Sequence, residues 1–511
     1  MLSPRKFLRK RYISRKKTIA ELIRIALDRN SKKTALVYRD RALTYNDLAK
    51  EVKQASAFLH SQDLKQNDRI AVCLPDSTPS IVLRLACHLN GIEIMLIPND
   101  FSSDTIHHII AQTQPRFTIV PAESNQCLNA PTLCYQSSER TDSFIPAARP
   151  APENAATINF TSGSTGRPRG IRLCQSSWAA SCHAFVNAAN SGHKHQQTYL
   201  PLIPCTLAGS TSLIPALLAG MKIVLPGNWD MQKLSNLINE YHVNFIFLTP
   251  LWLAKWMKSS HSGIKHPSLN KIAIGTDTVH AAILQRAIEM FGPIISCGYG
   301  MAEVLPPLTV LGPEDYKGLA KNHPVWCSVG KPHPHVDISI LDEKGNKHPR
   351  GNTGRICIHS PSRAQGYIDA TTKESHRFKN NGSFISEDLG YLDEKGYLYI
   401  RGRANQRFET FARQLFARDI EELCLQNSQV SYACAVKHKK TICIAVAASV
   451  RDVSRLQCAL LSELCNAIPN TDFKIKIIRE MPETAAGKAD RQAVCRLYES
   501  RGDFDGQNHN L

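Results

Sequence analysis

Residues 159–170 read NFTSGSTGRPRG. Gly163, Gly166 and Gly170 permit tight turns and close approach of the backbone to a ligand. Thr161, Ser162, Ser164 and Thr165 add hydroxyls, and Arg167 and Arg169 add positive charge. An apolar, strand-like stretch leads into the segment. Hydroxyls, backbone N–H groups and cations gathered on one loop suit a polyphosphate. The GxxxxGK-Ser/Thr pattern of the Walker loop is absent. A Ser/Gly-rich stretch is by itself most often a linker, but here the order of residues is specific.

Outward from this loop the chain alternates helices and strands. Thr18 with Glu21, and Thr44 with Asp47, have capping-box spacing ahead of apolar helical runs. Residues 69–75 (RIAVCLP) read as a buried strand, 80–91 as a helix stopped by Gly91, and 92–98 as the next strand. A further helix–strand pair follows over DTIHHIIAQTQP and RFTIV. Residues 121–157, rich in Pro, Ser, Asn and Ala, read as a surface connection. The alternation resumes over 198–250, and such alternation implies parallel sheets covered by helices. From about 325 to 402 short strands and turns dominate. The last 108 residues read as a separate small unit with a short helix around Ile420–Leu425, a hairpin over CAVKHKKTICIAVA, a helix carrying Val453 to Ile468 and a strand over FKIKII. The break falls near Arg403–Gln406.

The 511 residues carry a net charge of +18. Residues 1–17 contribute eight basic side chains and no acid, interleaved with Leu2, Phe7, Leu8, Tyr12 and Ile13. This tail reads as a solvated, disordered extension, with anionic lipid or nucleic acid as the alternatives. Removing it leaves +10, a balance suited to polyanionic ligands. No apolar run approaches the roughly 18 residues that cross a bilayer, and the N-terminus lacks a secretory pattern. The 16 cysteines include no CxxC pair. They read as reduced core residues of a cytoplasmic protein, with peripheral membrane contact through the tail as a further expectation.

The phosphate loop resembles the signature of the adenylate-forming superfamily: acyl-CoA synthetases, luciferases and the adenylation domains of peptide synthetases. The resemblance covers nearly the whole chain from residue 18, and further segments follow in the family's order. It implies an α/β fold. The N-terminal domain (18–403) would stack α/β subdomains with a β-rich one, and a small mobile α+β domain (404–511) would carry a catalytic lysine. In GYGMAE (298–303), the resemblance implies that Tyr299 stacks on adenine beside Gly300 and that Glu303 is the magnesium-linked acid. Gly275 and Thr276 sit where the family lines adenine with backbone. In SEDLGYLDEKGYLYIRGR (386–403), Asp388 would accept both ribose hydroxyls and Arg403 would lie near the ribose and α-phosphate. Asn405 takes the hinge position. In MPETAAGKADR (481–491), Lys488 matches the lysine that completes the adenylation site. The implied activity joins a carboxylic acid to a thiol in two steps through an acyl-adenylate, using ATP and Mg2+. The thiol would belong to CoA or to the phosphopantetheine arm of an acyl carrier protein.

Several positions depart from the family pattern. Arg169 replaces the loop lysine, Ala302 a threonine, and Glu387 a glycine. Pro204 stands where many acyl-CoA synthetases have a histidine. Ala412 and Ala417 replace a glycine and a proline in the loop that approaches the pantetheine arm. FARQLFARDIE has the spacing found in fatty acyl-AMP ligases, yet the stretch between GYGMAE and VWCSVGKP is too short for the extra segment those ligases carry. CoA and carrier protein therefore both stay open. A degenerate nucleotide-binding scaffold is the alternative from another class, opposed by the joint retention of Glu303, Asp388, Arg403 and Lys488. The largely apolar composition near Leu200–Ser212 and Gly275–Gly300 favours a fatty or aryl acid.

Overall fold

The computed structural model describes residues 17–499 other than 40, 76, 98–100, 122–130, 136–148, 163–167, 190–194, 202–206, 228–229, 260–265, 369–374, 405–406, 410–413 and 485. The helix–strand alternation builds two sheets. In the first, Glu93–Leu96, Arg69–Val72 and Phe117–Val120 run parallel. Ala155–Ser162 joins Glu93–Leu96 in parallel, and Pro168–Cys174 turns back beside it. In the second, Lys222–Leu225, Thr198–Pro201, Phe245–Leu248, Lys271–Ile274 and Ile295–Tyr299 are parallel neighbours. These strands read RIAV, EIML, KIVL, FIFL and KIAI. Continuous apolar runs are what parallel strands need when helices cover both faces.

Local signals place the helices between the sheets. Thr18 Oγ1 accepts from the Glu21 N–H at 3.1 Å, and a Glu21 carboxylate oxygen accepts from the Thr18 N–H at 3.2 Å. Thr44 and Asp47 repeat the arrangement at 3.1 and 3.2 Å. An N-cap of this kind stabilises its helix by about 1 kcal/mol. Helix Thr78–Asn90 ends at Gly91, whose φ of 65° is left-handed. That helix is buried on nearly every side because it lies in a core shared by both sheets. Ile70, Ile94 and Ala156 of the first sheet pack in the same cluster as Leu36, Tyr199 and Ile223 of the second. The two sheets are thereby one packed body.

The expectation of a plain surface connection over 121–157 needs correction. Thr132–Cys134 forms an edge strand parallel to Phe117–Val120, and the strand leading to the phosphate loop already begins at Ala155. The edge strand escaped notice because its three residues are largely exposed and carry no apolar alternation. Residues 337–403 fold as a four-stranded antiparallel sheet in the order Asp337–Leu341, Gly354–His359, Ser383–Leu392, Leu398–Arg403. Near the C-terminus, Val430–His438, Thr441–Ala448 and Phe473–Ile478 form a three-stranded sheet packed by helices Ala417–Gln426 and Val453–Ala467. A short helix, Arg491–Arg496, was not anticipated.

This smaller domain is clamped to the larger one through helix Ala281–Phe291. His280, at the helix N-cap, is buried between two carboxylates of helix Ala417–Gln426, with ring nitrogens 3.3 Å from Glu421 and 3.2 Å from Glu422. Glu422 also accepts from the N–H groups of Ala281 and Ala282, at 3.1 and 3.0 Å, so an anion sits on the positive end of that helix. Glu421 accepts from the Ala435 N–H and pairs with Arg491 at 2.8 Å. Arg286 spends its guanidinium on the carbonyls of Leu425, Asn427 and Val430.

Burial alone would raise Glu421, but Arg491 and His280 outweigh it and hold the carboxylate at about 2. Burial alone would lower His280, but Glu421 and Glu422 outweigh it and raise the imidazole above its usual value. The stabilisation carried by Glu421 is therefore present above the unfolded carboxylate pKa and is lost as the pH falls through its depressed folded value. The His280 contribution is complete below the unfolded imidazole pKa and is lost as the pH rises through its raised folded value. A Glu421→Ala variant, which strands a buried cation, is expected to lose about 3 kcal/mol in urea unfolding at neutral pH. As the pH rises from below the ordinary imidazole pKa through the raised folded value, the thermal midpoint of His280→Gln should fall less than that of the parent. Parallel curves would show that His280 is neutral in the folded protein.

Candidate active site

Several of the sequence-predicted site residues lie at the ends of strands or directly after them. Gly275 and Thr276 follow Lys271–Ile274, and Tyr299 ends Ile295–Tyr299. Crevices at the carboxyl ends of parallel strands are where open α/β sheets bind ligands. Thr276 holds a φ of 76°, a left-handed conformation costly for a β-branched residue. Its Oγ1 is also buried without a hydrogen-bond partner among the described residues. A strained backbone with a buried, unsatisfied hydroxyl is the kind of exception that functional sites carry. Gly300 stands where a Cβ would come 2.4 Å from Pro306 Cβ, so this turn accepts no side chain without moving.

Tyr299 and Asp388 meet directly. The phenol donates to Asp388 Oδ2 at 2.6 Å, and Arg403 Nε lies 3.6 Å from Asp388 Oδ1. Asp388 and Arg403 are cross-strand partners, which fixes their spacing through the ladder rather than through flexible side chains. Burial and the neighbouring Asp388 charge push the Tyr299 phenol well above its usual pKa, so it stays a donor. Glu303 is raised above the ordinary carboxylate range, chiefly by burial and also by Asp388, with Tyr367 and Arg403 acting against the rise. Tyr367 donates to Glu303 Oε1 at 2.9 Å.

Lys488 comes from the opposite side of the cleft. Its loop docks on helix Pro250–Lys258: Thr249 donates to the Gly487 carbonyl at 2.6 Å, and Glu483 accepts from Trp252 at 3.1 Å and pairs with Lys255 at 3.0 Å. The loop is closed by Thr484 N–H to the Lys488 carbonyl at 2.8 Å. Burial pulls the Lys488 ammonium below the ordinary lysine value, Asp277 holds it up, and Arg403 pushes it down. Lys488 thus lies within electrostatic reach of Arg403 and of the turn that carries Thr276. Tyr299, Glu303, Asp388, Arg403 and Lys488, drawn from positions scattered along the chain, are linked by these contacts and charge interactions, with Thr276 next to Asp277.

Arg169 sits at the start of the strand leaving the phosphate loop, with its guanidinium 5.8 Å from the Tyr367 ring centre. The backbone of Thr161 and Ser162 continues the strand paired to it. Gly163, Ser164, Thr165, Gly166, Pro204, Asn405, Ala412 and residues 1–16 lie outside the described residues. Among the departures, Ala302 is packed in the main core and Glu387 pairs with Arg377. Sequence reasoning missed Asp277 and Tyr367. Asp277 directly follows the turn already singled out, and GYID at 366–369 carried no motif weight.

Among the described residues, no three His, Cys, Asp or Glu side chains cluster as a metal cage. Glu303, a single carboxylate linked through Tyr367 to the strand Pro168–Cys174, suits magnesium, which takes one or two carboxylates together with substrate phosphates and water. No helix among the described residues is long and apolar enough to cross a membrane.

The profile of the family described as AMP-binding enzyme matches residues 23–368. The chain belongs to that family. It is an AMP-forming ligase. It is 23% identical over 471 residues to 2-succinylbenzoate–CoA ligase of Listeria monocytogenes, covering 91% of this chain and 96% of that one. It is 24% identical over 393 residues to a medium/long-chain-fatty-acid–CoA ligase of Mycobacterium tuberculosis, covering 73% and 66%. In fold it matches O-succinylbenzoate coenzyme A synthetase of Bacillus subtilis solved with AMP, with a TM-score of 0.79, 20% identity, and 96% and 99% of the two chains covered.

Gly487 offers a test of the docked loop. Its φ is 69°, and a Cβ there would lie 2.5 Å from Trp252 Cε2. Gly487→Ala should displace Lys488 and lower ATP-dependent pyrophosphate release by about 10²-fold, with nucleotide affinity unchanged by calorimetry. Full activity in this variant would show that the loop geometry is not the working one.

Proposed function

We propose that this protein activates a fatty or aryl carboxylic acid with ATP as an acyl-adenylate and then passes the acyl group to the thiol of CoA. The observation that carries this reading is the convergence of Lys488, brought in by the smaller domain, on the cleft that holds Asp388, Arg403 and Glu303. The chemistry requires such a cleft. A carboxylate must attack an α-phosphate of the same charge, and pyrophosphate must leave. Like-charge repulsion opposes the approach unless fixed cations face the developing charge in a partly dry site.

In this reading Asp388 accepts the ribose hydroxyls. Tyr299 faces the base, and its hydroxyl keeps Asp388 oriented. Arg403, fixed by its ladder partner, is held beside the ribose and α-phosphate. The Gly163–Gly166 loop and Arg169 take the β- and γ-phosphates. Lys488 supplies the cation nearest the attacking and bridging oxygens, and the lowered pKa from burial makes its charge sensitive to alkaline pH. Glu303 would hold magnesium, which when bound neutralises phosphate charge. The two named relatives act on a succinylbenzoate and on medium/long-chain fatty acids, which supports an acid with a substantial apolar body and a CoA acceptor. For thiol transfer the smaller domain would turn about Asn405, which requires His280 to leave Glu421 and Glu422.

The test is ATP–pyrophosphate exchange over a panel of fatty, aryl and amino acids, with CoA and a phosphopantetheinylated carrier protein compared as acceptors. One class of acid should support exchange, and Lys488→Ala should lower it about 10²- to 10³-fold. ATP binding without exchange for any acid would favour the nucleotide-binding scaffold, and exchange that survives Lys488→Ala would remove the lysine from the mechanism.

A further inference from the structure

Arg169, a position at which this chain departs from the family pattern, lies against one side chain that no motif singled out, and Glu387, another such position, pairs with Arg377 next to that side chain's aromatic neighbour. Tyr367 ends the two-residue strand Gly366–Tyr367, which pairs antiparallel with the strand leaving the phosphate loop. The main chain ties this segment on both sides. The Gln365 and Ile368 N–H groups donate to the Arg172 and Gly170 carbonyls at 2.8 and 3.0 Å, while the Ala364 N–H donates to the Glu303 carbonyl at 2.8 Å. The segment is a strap between the strand Pro168–Cys174 and the backbone of Glu303.

From that strap the Tyr367 hydroxyl reaches Glu303 Oε1 at 2.9 Å. Its ring is held by two neighbours. The Arg169 guanidinium lies 5.8 Å from the ring centre, and Phe378 meets it edge-on at 5.3 Å and 82°. Beside Phe378, Arg377 is paired to Glu387. The arginine in place of lysine brings a planar cation that can lie over an aromatic face, which an ammonium does less well. The glutamate in place of glycine pairs with Arg377, the residue adjoining the ring's other neighbour.

We propose that Tyr367 is the positioning residue for Glu303, holding one carboxylate oxygen so that the group presents a fixed orientation to magnesium bound with the nucleotide phosphates. The inference rests on the assignment of Glu303 to magnesium made above. A site with one protein carboxylate is unusually dependent on that carboxylate's orientation, since no second ligand corrects it. Outer-shell hydrogen bonds to metal ligands typically account for about 10- to 100-fold in affinity. A phenol suits the task because it remains a donor at neutral pH and donates a charge-assisted bond to the carboxylate.

The experiment compares the full-length protein with Tyr367→Phe, which removes only the hydroxyl, and with Glu303→Gln. Affinity for a non-hydrolysable ATP analogue is measured by calorimetry in Mg2+ and in EDTA. The parent should bind more tightly in Mg2+. Tyr367→Phe should lose about tenfold of that enhancement, with its affinity in EDTA and its thermal midpoint unchanged, and Glu303→Gln should abolish the enhancement. An enhancement preserved in Tyr367→Phe would overturn the proposal, as would an equal loss of affinity in EDTA, which marks general damage to the cleft. A parent that shows no enhancement by Mg2+ would overturn it together with the assignment of Glu303. Because the readout is binding, a tenfold selective loss supports the positioning role even if no acid elicits pyrophosphate exchange, so failure of the proposed activity is distinguishable.

Discussion

The buried anion of Glu421 is the interaction on which the assembled site depends. It is shared by Arg491 of its own domain and His280 of the other, with side-chain exposures of 1% for both Glu421 and His280. A carboxylate so deeply buried is tolerated only while its partners stay in place. The orientation of the smaller domain is therefore coupled to the integrity of this cluster. With the cluster formed, helix Ala417–Gln426 lies on helix Ala281–Phe291, and the Lys488 loop rests on Trp252 and Lys255. Without it, the smaller domain would keep the contacts of the Lys488 loop with Thr249, Trp252 and Lys255 and those of Arg286.

The chemistry imposes the complementary constraint. Cations must face the phosphates at the moment of attack, yet the reacted acyl group must later become reachable by a thiol. A lysine delivered by a separately docked domain would meet both needs in the proposed reaction if that domain turns between the two steps. The groups that stay behind belong to the larger domain and are fixed by backbone. Asp388 and Arg403 are ladder partners, Thr276 sits on a left-handed turn, and Glu303 is tied through its carbonyl to Ala364. In the proposed reaction, the groups required in both half-reactions are those fixed by backbone, and the group required in one belongs to the smaller domain.

Much of this was legible in the sequence where the determinants are local. The capping pairs Thr18–Glu21 and Thr44–Asp47, the stop at Gly91 and the apolar parallel strands depend on residues a few positions apart, and the structure contains them. The family motifs located Tyr299, Glu303, Asp388, Arg403 and Lys488, and the fold brings these five within contact or electrostatic reach of one another. What escaped notice is non-local. His280 and Glu422 are separated by 142 positions, and Tyr367 and Glu303 by 64. Neither pairing has a spacing rule that a linear reading could detect. The strand Thr132–Cys134 was missed for another reason, since a three-residue exposed edge carries almost no hydrophobic pattern.

In the proposed reaction a carboxylate oxygen attacks the α-phosphorus of ATP between the two domains. Its most direct test follows the fate of that oxygen. Carboxyl-18O-labelled octanoate and benzoate would each be turned over with ATP, Mg2+ and CoA, and the released AMP analysed by mass spectrometry. Formation and cleavage of an acyl-adenylate leaves one labelled oxygen on AMP and none on pyrophosphate. Label appearing in inorganic phosphate, or AMP released without label while thioester forms, would contradict the account.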